Sequence, residues 1–212
     1  MRRLLTLAGL ATLAAALWWR KNPSACPYGQ RFWVEAPHPG ITRKRLIGTL
    51  EPQPGERILE IGPGTGYYTF EIAARVDGGQ LDLFDIQQAM LDHVMREANR
   101  RGVTNVQAAL GDAQSLPYAD DSFDAVVLVT VLGEVPDQDR ALREITRVLK
   151  PGGRLVVGEL FGDPHMVTSG KLRERAERAG LTFARRVGSP LAFFARLEKP
   201  AVAAAPVTQT HA

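Results

Sequence analysis

The sequence predicts an α/β protein in which a doubly wound, mostly parallel sheet is flanked by helices. Short apolar strands alternate with amphipathic helices beyond residue 56, a pattern typical of parallel sheets covered on both faces. The segment Phe123–Val131 is almost continuously apolar, as expected of a strand with both faces buried. A glycine-rich loop follows the first strand, at the edge where such sheets bind ligands.

The expected elements follow one another from Ile41 to Leu197. A short helix over Ile41–Leu50 ends before Pro52. Apolar residues spaced by three and four predict the later helices, and glycines such as Gly102 end them. The later helices are expected at Tyr67–Val76, Gln87–Arg101, Asp137–Leu149 and Ser169–Ala179. The strands are expected at Arg57–Ile61, Leu81–Phe84, Val103–Leu110, Phe123–Val131 and Arg154–Leu160, with Lys150–Gly153 as a turn. Leu181–Val187 and Leu191–Leu197 flank a Gly-Ser-Pro turn and predict a C-terminal antiparallel hairpin.

The 212 residues suit one domain. We expect an N-terminal segment over residues 1–21, a proline- and aromatic-rich linker and cap over 22–55, the main domain over 56–199, and a disordered tail over 200–212. Cys26 is the single cysteine, which excludes an internal disulfide and a multi-cysteine zinc site. No metal site is predicted.

The N-terminal segment predicts an apolar helix. An uncharged run, residues 4–19, lies between Arg2-Arg3 and Arg20-Lys21. Sixteen helical residues would span about 24 Å, against a hydrocarbon core of about 30 Å. Three interpretations stay open: a membrane anchor, which we favour, a cleaved signal peptide, and a buried or surface amphipathic helix.

The formal charge of +3 does not indicate a nucleic-acid partner. Residues 1–21 hold four basic residues and no acidic one, so the other residues hold 22 basic and 23 acidic side chains. A basic surface for phosphate backbones is therefore not expected on the main domain.

The most informative motif is the segment ILEIGPGTG, Ile58–Gly66. Its glycines are spaced G-x-G-x-G, and neither the dinucleotide fingerprint nor a Walker loop fits that spacing. An acid, Asp85, ends the next expected strand, where carboxylates bind ribose hydroxyls or cap the following helix. Asp112 follows the third strand, where it suits an adenine amine or a turn.

These segments, in this order, resemble the class I, Rossmann-like S-adenosylmethionine-dependent methyltransferases, especially the ubiquinone/menaquinone biosynthesis group. The resemblance covers Glu56–Leu160 and rests on ILEIGPGTG, LFDI, GDAQSLPYADDSFDAVV and ALREITRVLKPGGRLVV. It implies S-adenosylmethionine as cofactor. The segment Phe161–Thr168 is shorter than in many quinone-methylating relatives, which leaves quinone specificity open.

The resemblance also implies roles for individual residues. A loop set, Glu60, Gly62, Gly64 and Gly66, would shape the pocket around the methionine part of the cofactor. Asp85 would hold the ribose hydroxyls with Ile86 against the adenine, and Asp112 would contact the adenine amine beside the backbone of Ala113. Residues 128–132, including Val129, would border the transferable methyl group.

A catalytic base is not evident from the sequence. Candidates are Glu134, His38 and His165, with Glu159 as a further one, and each has an ordinary structural explanation. Aromatic residues Phe32, Trp33, Tyr67 and Tyr68 suit an acceptor pocket or packing. The first hypothesis is therefore a membrane-associated methyltransferase acting on a small, lipophilic acceptor such as a lipid headgroup, a quinone-like phenol or a hydrophobic metabolite.

Two alternatives accompany it: a catalytically silent binding or scaffold protein of the same fold, and a nicotinamide oxidoreductase, which the glycine spacing disfavours. Because S-adenosylmethionine is made in the cytoplasm, the catalytic domain is expected on the cytoplasmic face of the membrane. The sequence does not indicate an oligomeric state.

Overall fold

The computed structural model describes residues 23–30, Phe32 and residues 38–201. Its helices are α1 (Arg43–Leu50), α2 (Thr69–Ala73), α3 (Gln88–Arg101), α4 (Gln138–Val148) and α5 (Ser169–Arg178). Its strands are β1 (Arg57–Ile61), β2 (Gln80–Asp85), β3 (Val106–Leu110), β4 (Phe123–Val129), β5 (Leu149–Leu160), β6 (Thr182–Ser189) and β7 (Ala192–Glu198). Short 3-10 turns lie at Tyr28–Gln30 and Leu132–Glu134.

The strands form one seven-stranded sheet in the order β3-β2-β1-β4-β5-β7-β6. β1 to β5 pair in parallel, whereas β7 pairs antiparallel with both β5 and β6. The predicted α/β class, the mostly parallel sheet and the C-terminal hairpin are therefore confirmed. The strand order reverses between β1 and β4, which creates the crevice in which doubly wound sheets bind ligands.

The core has two layers because successive residues of a strand face opposite sides of the sheet. In β4, Val126 and Leu128 pack on the α4 and α5 side, whereas Ala125 and Val127 pack on the α1 to α3 side. All four are fully buried. Burial on both faces explains why this strand is almost continuously apolar.

Three elements differ from the sequence expectation by more than two residues at one end. Helix α2 is only five residues long, because the chain turns through Tyr67 and Tyr68 and the hydroxyl of Tyr68 donates to the carbonyl of Ile41 (2.6 Å). Strand β3 begins at Val106 and not at residue 103. Strand β5 begins at Leu149, so the expected turn over residues 150–153 is an irregularity inside the ladder.

The irregularity in β5 has a clear cause. Leu149 pairs with Phe123 and Arg154 pairs with Ala125, so four residues of β5 face one residue of β4. Gly152 takes a φ of +79° there, a conformation that glycine adopts without steric penalty.

One buried ion pair fixes the segment before the sheet. The guanidinium of Arg154 donates to both carboxylate oxygens of Glu56 (2.8 and 2.6 Å) and to the carbonyls of Leu50 and Glu51. Arg154 is almost fully buried, so it joins the C-terminal end of α1 to the start of the β5 core.

The predicted N-terminal apolar helix and the tail from residue 202 lie outside the described residues. Among the helices that the structure describes, none combines the length and the apolar character needed to cross a membrane.

Candidate active site

A large cavity opens at the carboxyl ends of the parallel strands. Its volume is about 900 Å³, and ligand pockets span roughly 300–1,000 Å³. Predicted site residues on its wall are Gly62, Gly64, Asp85, Ile86, Asp112, Ala113, Val129, Glu134, His38 and His165. The fold thus brings together most of the residues that the sequence singled out, although they come from widely separated segments.

The glycine loop lets the backbone reach the cavity between β1 and β4. The N–H of Gly62 donates to the carbonyl of Phe84 (2.8 Å), and Gly62 has a φ of +69°. A Cβ at this position would lie 2.3 Å from Cγ2 of Val131, so a side chain does not fit without movement. Gly66 is turned away from the main cavity, and the space beside it is filled by Phe70 and Val94.

Glu60 lies under the loop and does not line the cavity. Its carboxylate accepts the hydroxyl hydrogen bond of Thr69 (2.7 Å), the first residue of α2. Burial raises the pKa of Glu60 to about 7, although the bond from Thr69 opposes the shift. Glu60 therefore holds the loop to the start of the helix.

Asp85 and Asp112 end neighbouring strands on one side of the cavity. The carboxylate of Asp85 accepts the backbone N–H of Gln87 (2.8 Å), and burial raises its pKa against the opposing bonds from backbone N–H groups. Ile86 is 58% exposed and forms apolar wall between the two acids. Asp112 accepts the backbone N–H of Gln114 (2.8 Å).

The end of β4 forms the floor. Val129, Thr130 and Val131 line the cavity, whereas Leu128 and Leu132 are fully buried in the core. Thr130 has a φ of +55°, a conformation that is uncommon for a residue with a side chain and is concentrated at functional sites.

Residues 23–30, hereafter the strap, form part of the cavity wall, which six of them line. The side chain of Gln87 holds the strap on two sides: its amide nitrogen donates to the carbonyl of Cys26 (3.0 Å) and its oxygen accepts the N–H of Tyr28 (3.2 Å). The N–H of Cys26 donates to Glu134 (3.2 Å). The expected cap over residues 22–55 thus includes a segment bound directly to the site, and Gln87 is a residue that the sequence did not reveal.

Three carboxyl groups lie around the ends of β4 and β5, on the opposite side of the cavity from Asp112, which follows β3. Glu134 follows β4, Glu159 lies near the end of β5, and Asp163 follows β5. Burial, with repulsion from Asp163, raises the pKa of Glu134 to about 8. Burial also raises the pKa of Glu159 to about 8, with the N–H of Val167 opposing the shift and Asp163 and Glu134 adding to it. Asp163 lines the cavity and was not predicted as a site residue.

The aromatic candidates lie elsewhere. Tyr67 and Tyr68 pack edge to face with ring centres 4.8 Å apart and do not line the main cavity. Phe32 is 56% exposed, and Trp33 lies outside the described residues.

Comparisons with known proteins agree with this geometry. Residues 59–157 match the family described as "Methyltransferase domain". They form a class I S-adenosylmethionine-dependent methyltransferase domain. S-adenosylmethionine is the cofactor of this domain. The donor set fits that molecule, because Asp85 and Asp112 present carboxylates for its hydroxyl and amine groups and Ile86 presents an apolar surface for its ring.

Several curated relatives of the methyltransferase domain share one name. The chain is 45% identical over 126 residues to the ubiquinone/menaquinone biosynthesis C-methyltransferase UbiE of Teredinibacter turnerae, covering 58% of this chain and 50% of that protein. The protein of the same name from Vibrio parahaemolyticus is 42% identical, with 58% and 48% covered. The chain therefore spans about half the length of these relatives.

Solved structures share the fold of the methyltransferase domain. An S-adenosylmethionine-dependent methyltransferase from Aquifex aeolicus superposes with a TM-score of 0.74 at 18% identity, covering 82% of this chain and 98% of that one. The [4+2]-cyclase SpnF superposes with a TM-score of 0.68 at 22% identity, covering 76% and 80%. At these identities the likeness concerns the fold.

Proposed function

We propose that this protein transfers a methyl group from S-adenosylmethionine to a small, lipophilic acceptor at the cytoplasmic face of a membrane. The observation that carries the proposal is a cavity whose wall has a cofactor side, with Asp85 and Asp112, and a separate side next to the strap that combines apolar residues with Glu134 and Asp163. A cavity of about 900 Å³ leaves room for an acceptor beside the cofactor.

The cofactor side comprises the glycine loop, Asp85, Ile86 and Asp112. Asp85 and Asp112 accept hydrogen bonds from the ribose and the adenine, and the backbone at Gly62 and Gly64 adjoins the methionine part. When bound, S-adenosylmethionine supplies an electrophilic methyl group on a sulfonium. The protein aligns the acceptor with that methyl group and excludes water, the usual contribution of the protein to in-line transfer.

The acceptor side lies between the strap, the end of β4 and the segment after β5. Phe161 lines this side and is 70% exposed, and its N–H donates to the carbonyl of Leu191 (2.6 Å), which is 55% exposed. Two exposed, large apolar residues are therefore linked through their backbones, and Phe161 of this pair lines the cavity. Exposed apolar surface beside a cavity is typical of binding sites for lipids or proteins.

Chain continuity supports a membrane location. The strap begins at Pro23, and the apolar run of residues 4–19 precedes it by only three residues. If that run enters a bilayer, the cavity mouth lies close to the lipid surface, and a lipophilic acceptor reaches the site without crossing much water. The UbiE name of the relatives also supports a methyl acceptor of low polarity.

Cofactor binding is tested by calorimetry of the full chain with S-adenosylmethionine. Asp85→Ala should weaken binding by at least 10-fold, because a buried ligand hydroxyl loses its acceptor. Asp92→Ala is the matched control, since Asp92 is an exposed acid one turn into α3. Absence of saturable binding by the wild type would refute the proposed function.

Acceptor and location are tested with membranes and methyl-labelled S-adenosylmethionine. Label should appear in the lipid extract, and vesicle flotation should fall for the double variant Phe161→Asp/Leu191→Asp. Leu110→Asp is the control, because Leu110 is 54% exposed but does not line the cavity. Label confined to water-soluble products, or equal flotation of both variants, would contradict a lipophilic acceptor at a membrane.

A further inference from the structure

The charge of the cavity wall is one-sided. Four acidic side chains line it, Asp85, Asp112, Glu134 and Asp163, and among the described residues no lysine or arginine does. The basic groups on the described wall are the imidazoles of His38 and His165. An anionic acceptor, such as a carboxylate or a phosphate ester, would therefore meet negative charge from the described wall residues and no lysine or arginine among them.

Glu134 is the acid best placed to meet an acceptor. It follows Val131 at the end of β4, lines the cavity, and one oxygen accepts the N–H of Cys26 in the strap (3.2 Å). A single backbone N–H leaves most of the lone pairs of a carboxylate available. The group is mostly removed from water, so a ligand that donates hydrogen bonds gains more from it than it would at an exposed site.

Asp163 and Glu159 add two further carboxyl groups at the same end. Asp163 lines the cavity, and its carboxylate accepts the backbone N–H of His165 (2.8 Å). Glu159 is fully buried behind them, and its Oε1 has no hydrogen-bond partner among the described residues. Burial raises the pKa of the Cys26 thiol in the strap, and repulsion from Glu134 and Asp163 adds to the shift.

Buried carboxyl groups without a cation are costly to ionise, and a positively charged ligand relieves that cost. No group of three or more metal-ligating side chains in the described part of the chain is arranged to hold a metal ion. An organic cation with several N–H donors satisfies the arrangement better than a neutral alcohol.

We propose that the methyl acceptor is a protonated amine on an apolar body, bound between Glu134 and Asp163. The proposal rests on the proposed function and names its substrate class. The apolar body lies toward Phe161 and Leu160, and the ammonium group donates to the two carboxylates. Charge-assisted hydrogen bonds of this kind are about twice as strong as neutral ones.

The proposed methyl transfer begins with a proton transfer from the acceptor to Glu134. The ammonium group transfers one proton to the carboxylate of Glu134 and becomes a neutral amine with a free electron pair. That pair forms the new N–CH₃ bond as the S–CH₃ bond breaks, and the sulfur keeps the bonding electrons as a neutral thioether. The product leaves as the methylated ammonium ion, and Glu134 releases to solvent the proton that it took from the acceptor, so that each turnover loses one proton.

The test measures binding of three matched probes to the full chain saturated with S-adenosylhomocysteine. The probes are 2-phenylethylamine, 2-phenylethanol and 3-phenylpropanoate, which share an apolar body and differ in charge. Calorimetry should give at least 10-fold tighter binding of the amine than of the alcohol, and the weakest binding for the carboxylate. Equal or weaker binding of the amine overturns the proposal.

The variants separate a folding defect from a lost acceptor site. Glu134→Gln should abolish the preference for the amine while S-adenosylmethionine still binds within about 2-fold of wild type, and Asp163→Asn should reduce the preference. Glu174→Gln, an exposed acid in α5, is the control. If both cavity variants still bind the amine more tightly than the alcohol, the proposed amine site between Glu134 and Asp163 is refuted. Failure of wild type to bind S-adenosylmethionine would instead refute the proposed function.

Discussion

Glu159→Gln should alter the pH dependence of stability in a defined direction. Glu159 is fully buried, and its pKa is raised from 4.5 to about 8 in the folded protein. Between these two values the folded state holds a proton that the unfolded state has released. The contribution of Glu159 to the free energy of unfolding is therefore fully present below about pH 4.5 and is lost as pH rises toward 8.

The magnitude follows from the width of that window. One protonation difference changes the free energy of unfolding by about 1.4 kcal/mol per pH unit. The wild type should therefore lose about 2 kcal/mol between pH 6 and pH 8 through Glu159 alone. Glutamine stays neutral, and its side-chain oxygen can still accept the N–H of Val167, which lies 3.1 Å from Oε2 in the wild type.

The assay is urea unfolding of the wild type and the variant at pH 6, 7 and 8, provided that unfolding is two-state. The variant should gain about 2 kcal/mol relative to the wild type over this interval. The buried carboxyls Glu60 and Glu134 are present in both proteins, so their contributions largely cancel in the comparison. Parallel stability curves for the two proteins would refute the assignment of a raised pKa to Glu159.

Three further predictions concern the loop, the buried ion pair and the strap. Gly62→Ala should destabilise the protein by about 1–3 kcal/mol more than Gly78→Ala in urea unfolding. Both glycines have a φ of +69°, but only at Gly62 would the added Cβ clash with Val131. Equal losses of stability in the two variants would exclude the steric explanation. Arg154→Met should cost about 3 kcal/mol by the same assay, since the half-buried Glu56 carboxylate loses its guanidinium partner and keeps only the N–H of Gln53; a loss below about 1 kcal/mol would contradict this role. Gln87→Ala should speed the release of S-adenosylmethionine in stopped-flow experiments and expose the strap to proteolysis. Gln88→Ala is the control, because the side chain of Gln88 donates to exposed Asp92. Equal release rates for the two variants would show that Gln87 does not hold the strap over the bound cofactor.

Local patterns predicted much of the fold. The bounds of β1 agree with the sequence expectation, because a short apolar run ends at a glycine loop that cannot continue a strand. Helix α3 ends before Gly102, which takes the left-handed conformation expected of it (φ +67°). The length of α2 was wrong, since the contact of Tyr68 with Ile41 joins residues 27 positions apart and no local pattern encodes it.

The cofactor side of the candidate site was predictable for a topological reason. In a parallel sheet every strand ends at the same edge, so the acids that follow successive strands converge whatever their separation along the chain. Asp85 and Asp112 meet on the cavity wall for this reason. Their proposed contacts with the cofactor stay a prediction.

The sequence by itself determined the class of fold, the edge of the sheet that carries the site and the family of the domain, because all three depend on short motifs and on strand–helix alternation. The tertiary structure decided which side chains line the opposite end of the cavity from Asp112. Gln87 bonds Cys26 of the strap, which lies 61 residues away along the chain. Glu134, Glu159 and Asp163 come together where β4 and β5 end. Burial raises the pKa of all three carboxyls, and repulsion from neighbouring carboxyls adds to the shift at Glu134 and Glu159; both causes exist only once the chain has folded.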